Sequence, residues 1–297
     1  MCISKSLVDY IKDGVSKIAD VVTDGIEDLC TSIENELNNI FWWEEFLMKN
    51  TKEIEKSDLY QLYINVLDRL SPDAMSGWLI ASNLYGAIIL GSVLLGIFNN
   101  VQLNNELWHT IGIVATVFYI IQIVVMLFFF SIKNSYKYQK FLSLWTSIVA
   151  TKLSIDSYLF LFATLETKGY TKPIAYYTYA LIGVGILLLI ILTIRGFKRL
   201  KNGEFRKEGK YLYDFCKSKR NIGAVTIFPI VLIVIAFFRS IQSNGYEILS
   251  SCFFLIICVV LQYILVMAIP ELYLLTYCKF KYSEFTVDIP KRFLKKH

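Results

Sequence analysis

The sequence predicts an all-α, polytopic helical membrane protein. It should hold about six transmembrane helices, five strong and one polar, behind an N-terminal cytoplasmic helical segment. Three observations carry this reading. Of 297 residues, 55% are hydrophobic and only 19% charged, with a mean hydropathy of +0.50, whereas soluble domains hold about a quarter charged residues. The apolar excess falls in runs of about 20 residues, the length that crosses a bilayer as a helix. Charge is divided along the chain. Residues 1–76 hold 7 Lys+Arg against 15 Asp+Glu, a net −8, and residues 77–297 hold 23 against 10, a net +13. Such a composition excludes a soluble enzyme, a disordered chain and a collagen-like chain.

Three regions follow from these patterns: an acidic amphipathic segment over 1–76, a transmembrane region over 77–270, and a basic cytoplasmic tail over 271–297. In the first, apolar residues recur at Ile11, Val15, Ile18, Val22, Ile26, Leu29, Ile33, Leu37 and Ile40. The steps of three and four hold one face of a helix over 5–41. An eleven-residue echo (Asp13-Gly14 and Asp24-Gly25) fits either packing on its own domain or self-association into a bundle. Phe41-Trp42-Trp43 suits a membrane interface or a helix contact. A second helix is predicted over Asp58–Leu70 with Ser57 as N-cap, and Ser71-Pro72-Asp73 breaks it. The first apolar run is interrupted by Asp9, Lys12 and Asp13, so no signal peptide is expected.

The strong spans are about 78–98, 108–132, 173–194, 222–240 and 247–269. The stretch 141–165 is the polar sixth, because it carries Lys152 and Asp156. Large apolar side chains contribute roughly −0.3 to −0.6 kcal/mol each to insertion, and a mid-helix charge costs about 2.5 to 3.5. Hydropathy alone therefore leaves this segment near balance. Orientation decides it. The loop 195–221 holds ten Lys+Arg, the tail 270–297 six and the loop 133–140 three, so all three should be cytoplasmic. Span 173–194 must then begin outside, and only 141–165 can carry the chain there. Six spans with both termini cytoplasmic are therefore favoured; the competing arrangement has five spans, with 141–165 lying at the interface, and would export the 76 acidic N-terminal residues without a signal peptide.

Lys152 and Asp156 stand one turn apart, close enough to pair. Ionisable residues inside a span face a bundle interior or a wet cavity and are functional candidates by default. The same helix carries a hydroxyl stripe, with Ser143, Ser147, Thr151, Ser154 and Tyr158 within about 80° of one another and the charged pair roughly opposite. Lys152, Asp156, Ser147, Thr151 and Ser154 are thus the candidates for a polar pathway. A buried structural pair is the plainer alternative. In the first span Ser82/Gly86, Ala87/Gly91 and Ser92/Gly96 are small-xxx-small pairs, marking Ser82, Gly86, Gly91 and Gly96 for close helix packing. Asn83, Gln122 and Gln262 can bond across helices. Pro229 and Pro270 should bend their spans, and after Pro270 the helix should emerge into the cytoplasm.

The basic loop offers Arg195, Lys198, Arg199, Arg206, Lys207 and Lys210 to anionic lipid, to an anionic ligand, or to the protein's own acidic N-terminal segment. The six cysteines and two histidines show no metal-ligand spacing, so no metal and no cofactor is expected. Phosphate-binding loops, nucleophile elbows, dinucleotide fingerprints and potassium-filter motifs are absent. An enzyme is not expected. The sequence reading that remains is a homo-oligomeric channel or pore-forming effector, gated through the N-terminal helices and the basic loop by a signal or ligand. The alternative is a non-conducting assembly or immunity-type protein that docks a protein partner on its acidic helix.

Overall fold

The computed structural model describes residues 20–21, 23–29, 31–32, 59–99, 106–168, 171–207 and 247–290. Its elements are α1 (Tyr60–Leu67), α2 (Pro72–Asn99), α3 (Glu106–Phe129), α4 (Ile132–Lys137), α5 (Gln139–Lys168), α6 (Thr171–Lys201) and α7 (Glu247–Lys281), closed by a 3-10 turn at Ser283–Phe285. Residues 20–21, 23–29 and 31–32 are also helical. No strand occurs among the described residues. Among the described residues five helices are long and apolar enough to cross a membrane: Pro72–Asn99, Glu106–Phe129, Gln139–Glu166, Ala175–Lys201 and Phe253–Lys281. The span expected at 222–240 lies outside the described residues, as do Phe41-Trp42-Trp43, Ser57 and most of the 5–41 helix.

The polar stretch 141–165 is one of the five, and it is the most enclosed. In its most apolar window 56% of residues are buried, against 11–33% for the other four. This is how a helix with two charges can sit in a bilayer: protein, not lipid, covers most of it. α5 runs antiparallel to α7, with α2 and α6 packed on its other sides.

Three boundaries differ from the sequence reading. α2 begins at Pro72, six residues before the apolar run, because proline at the first helical position lacks only an N–H that the first turn cannot use. α1 stops at Leu67 and not at Leu70: Asp68 N–H donates to the Ile64 carbonyl (3.2 Å) and Leu70 N–H to that of Asn65 (2.8 Å), turning the chain before Pro72. α7 continues through Pro270 to Lys281. At 1.5 Å per residue its 35 residues span about 52 Å, far more than the roughly 30 Å hydrocarbon core. In its last turns Leu274, Leu275, Tyr277, Cys278, Lys279 and Phe280 are buried, while Lys281 is exposed.

What buries them is a cap at one end of the bundle. The starts of α2 and α5, the ends of α3, α6 and α7, and all of α1 and α4 meet there. Ser76 Oγ donates to the Phe129 carbonyl (2.5 Å) and Tyr136 OH to Asp73 Oδ1 (2.8 Å). Gln139 reads both backbone groups of Val287, donating to its carbonyl (3.1 Å) and accepting from its N–H (3.0 Å). One apolar cluster joins Leu62 and Val66 of α1 to Phe129, Leu200, Phe205 and Leu274. Ile26 of the N-terminal helix joins the same cluster, and Glu27 pairs with Lys137 at 3.0 Å.

The end of α6 shows how local sequence sets this up. Gly203 has φ 66°, a left-handed conformation that only glycine adopts without strain. Gly203 N–H donates to the Leu200 carbonyl (3.1 Å) and Glu204 N–H to the Arg199 carbonyl (3.2 Å), the paired bonds of a Schellman stop. Arg199 Nε then pairs with Glu204 at 2.8 Å, and the Arg199 guanidinium lies 5.5 Å over the Phe205 ring. The reversal carries Phe205 under α1, where its carbonyl accepts from Gln61 N–H (2.9 Å).

Candidate functional site

The bundle holds an ion pair inside its most enclosed helix. Lys152 Nζ bonds Asp156 one turn further along α5. The Asp156 side chain is 7% exposed and that of Lys152 23%. The ammonium also lies 5.3 Å over the face of the Phe118 ring on α3, a contact that gains strength away from water. Both groups stand on the wall of a cavity of about 400 Å³ between α2, α3 and α5. Its apolar walls include Leu90, Val93, Ile111, Val114 and Leu159. Gly86 is the small residue that shapes this seam. A Cβ there would come within 3.4 Å of the Tyr119 ring, whose hydroxyl donates to the Asn83 carbonyl at 3.3 Å.

More polar groups line the same three helices. Gln122 of α3, fully buried, donates to Ser82 Oγ at 3.4 Å. Among the described residues of these helices four buried side-chain polar atoms have no hydrogen-bond partner: Asn83 Oδ1, Gln122 Oε1, Trp145 Nε1 and Ser157 Oγ. A buried acceptor or donor left unmatched typically costs about 1–3 kcal/mol. The contact between α2, α3 and α5 is therefore polar as well as tightly packed.

The hydroxyl stripe turns the other way. Ser147 Oγ bonds Thr276 Oγ1 (3.1 Å), Thr151 Oγ1 bonds the Tyr273 hydroxyl (2.7 Å), and Tyr158 OH donates to Gln262 Oε1 (2.8 Å). These three rungs clip α5 to α7. Ser143 and Ser154 donate to carbonyls of their own helix, Lys140 (2.8 Å) and Thr151 (2.7 Å). The structure thus sets Ser147, Thr151 and Ser154 on a different face from Lys152 and Asp156.

Of the small residues marked in the sequence, Ser82 and Gly86 lie against α3, Gly96 is half-buried, and a Cβ on Gly91 would meet nothing within 4 Å. Closer approaches lie elsewhere. A Cβ on Gly112 would come within 3.0 Å of Ile97, and one on Gly185 within 2.3 Å of the Gln262 amide. Gln262 is buried and joins α5 to α7 through Tyr158, and its Nε2 lies 3.5 Å from the Ile182 carbonyl of α6. Neither glycine belongs to a small-xxx-small pair in the sequence reading. The pairing of Gln262 with Gly185 is visible only once α6 and α7 are side by side.

A second polar cluster lies under the cap. Glu271, 6% exposed, accepts from Asn65 Nδ2 (2.6 Å) and pairs with Arg69. Lys279, fully buried, reaches Gln139 Oε1 at 3.5 Å. The clue in the sequence is a carboxylate immediately after Pro270 in an otherwise apolar run.

The described part of the basic loop divides in two. Arg195 and Lys198 are exposed on α6, while Arg199 is committed to Glu204. Arg206 and Lys207 hold α1 through their backbone, since both carbonyls accept from Gln61 Nε2 at 3.2 Å. Lys210 lies outside the described residues. At the N-terminal helix, the Tyr138 hydroxyl and the Lys137 ammonium hold the Glu27 carboxyl below the usual carboxylate range.

Among the described residues no three His, Cys, Asp or Glu gather to hold a metal ion, and Cys258 and Cys278 are buried free thiols. Compared with known proteins, the chain matches no family model, no curated protein and no solved structure.

Proposed function

We propose that this protein is a channel-forming membrane protein that assembles from several copies and is controlled through its cap. One observation supports the reading above the others: the Lys152–Asp156 pair, inside a membrane helix, stands on the wall of a cavity at the flank of the bundle. Charge at that depth is tolerated only against protein or water. A neighbouring copy closing over the seam between α2, α3 and α5 would enclose it and leave a polar conduit. Water in that conduit would also serve the partnerless oxygens of Asn83 and Gln122. The cap holds Lys133, Lys137 and Lys140, and Lys198 and Lys201 lie at the same end, so the positive-inside rule puts it in the cytoplasm. There the N-terminal helix touches the short α4 that leads into α5, a direct mechanical route from a cytoplasmic signal to the ion pair.

The test is ion flux from liposomes holding the full chain. Flux above that of protein-free vesicles, reduced at least several-fold by Lys152→Ala in protein with an unchanged melting profile, is the expected result. Folded protein that passes no ion would overturn the channel reading. A second reading has one observation in its favour. On the N-terminal helix Val21 is 71% and Leu29 50% exposed, while Ile26 is buried. An apolar face turned outward suits a docked partner protein. In that case flux would be absent and the Lys152→Ala protein would retain partner binding.

A further inference from the structure

α6 is the least enclosed of the five long helices. In its most apolar window 11% of residues are buried, against 22–56% for the others. One side of it is occupied by α7: Gly185 closes on the Gln262 amide, and Leu189 packs with Val266 and Ile269. The opposite side carries a continuous stripe. Val184, Leu187, Ile191 and Ile194 are 52–63% exposed, and Lys198 and Lys201, also exposed, continue the line at the cap end. Steps of three and four hold all six on one helical face. At the far end Tyr176 and Tyr177 are 74% and 69% exposed. Tyr177 and Arg195 are 18 residues apart, or about 27 Å along the axis, close to the roughly 30 Å hydrocarbon core. Tyrosine at one boundary and cations at the other is the pattern of a helix face in contact with lipid.

We propose that the cap end of this stripe is a docking surface for an anionic phospholipid. The basic residues here divide by what they touch. Arg199 pairs with Glu204, and Lys207 lies over the Tyr60 ring. Arg195, Lys198 and Lys201 are exposed and pair with no carboxylate among the described residues. The three span six residues, about 9 Å along the helix, and Arg195 and Lys201 stand about 60° to either side of Lys198. A phosphate and an acidic headgroup fit between them, with the acyl chains lying along Ile191 and Ile194. A choline headgroup fits less well, because its own positive charge meets the same three cations. Each Lys or Arg near the surface adds to the attraction, and salt screens it. A second copy packed along the stripe would instead have to bury three cations without counter-charges, at high cost. No residue lining the ion-pair cavity belongs to α6, so this surface is separate from the seam assigned to conduction.

The experiment places a bimane fluorophore on Ile194→Cys, in the full chain with its six native cysteines replaced, and reconstitutes it in phosphatidylcholine vesicles. Brominated phosphatidylglycerol or brominated phosphatidylcholine is then added as quencher. Half-maximal quenching is expected at about a threefold to tenfold lower fraction of phosphatidylglycerol at low salt, and the difference should shrink as sodium chloride is raised. Arg195→Gln, Lys198→Gln and Lys201→Gln combined should abolish the preference, while Lys133→Gln, at an exposed lysine on α4, should leave it unchanged. The chain with its native cysteines supplies a second readout. In native mass spectrometry it should retain phosphatidylglycerol over phosphatidylcholine, and the triple variant, with an unchanged melting profile, should not. Equal quenching by the two lipids, or a preference that survives the triple substitution, overturns the proposal. Quenching by neither lipid also overturns it, and assigns the stripe to a contact between copies.

Discussion

Gly185 and Gln262 show how one residue can fix the spacing of three helices. The buried amide fills the space that any side chain at 185 would need, and it is held in place by Tyr158. In Gly185→Ala the amide must swing away and leave the Tyr158 hydroxyl unmatched, a loss of about 1–2 kcal/mol. Gly91→Ala has the opposite sign, because its Cβ would meet nothing within 4 Å and alanine is the better helix former by about 0.5–1 kcal/mol. Thermal unfolding in detergent should therefore lower the midpoint for Gly185→Ala and hold or raise it for Gly91→Ala. If Gln262 is the cause, adding Gln262→Ala to Gly185→Ala should cost less than the two single changes together.

At the scale of elements, the N-terminal helix is held to the cap by an apolar residue, Ile26, and by an exposed ion pair. Glu27 has a folded-state pKa below its ordinary value of 4.5, so its contribution is complete above about pH 4.5 and is lost as pH falls through the lower folded value. Lys137 is raised above its ordinary value of 10.5, chiefly by Tyr138 and Glu27, so its contribution is complete below about pH 10.5 and is lost as pH rises further. Docking should accordingly be flat with pH between those limits and weaken on both sides. It should also weaken with salt, since exposed pairs are screened. Hydrogen exchange of residues 20–32 measures this directly. Protection that stays constant from pH 3 to pH 6 would remove Glu27 from the docking. Under the cap, Glu271→Ala leaves Arg69 and Asn65 without their shared acceptor, and a loss of about 1.5–3 kcal/mol is expected by thermal unfolding.

For the whole molecule, the class of fold and the positions of four of the apolar spans were legible in the sequence, because insertion depends on summed hydropathy over about 20 residues. The polar helix was legible only through charge parity, since Lys152 and Asp156 cancel the signal of their apolar neighbours. The structure makes this stretch a helix long and apolar enough to cross a membrane. The pair itself was visible at its one-turn spacing, but its surroundings were not. That the hydroxyl stripe would clip α5 to α7, while the charges face α2 and α3, depends on which helix packs on which face. The cap was hidden for a different reason. Glu271 and Lys279 read as the start of an emerging tail, and only the fold of α1 over Phe205 and Phe285 shows that they are covered. Polarity marks where a chain meets water, but it does so only on average, and a small packed cap can overrule it.

Conduction along the seam between α2, α3 and α5 requires water to reach the ion pair inside the membrane. The direct measurement is thiol modification of single-cysteine variants, in a background with the six native cysteines replaced, by a membrane-impermeant reagent present on both sides of a liposome. Thiols react as thiolates and so need water. Lys152→Cys and Leu159→Cys on the cavity wall should be modified, while Leu84→Cys, at a site 65% exposed on the outer face of α2, should stay inert in lipid. If the cavity-wall cysteines are as unreactive as Leu84→Cys, the seam is dry, and the ion pair is a structural element of the bundle and not part of a conduit.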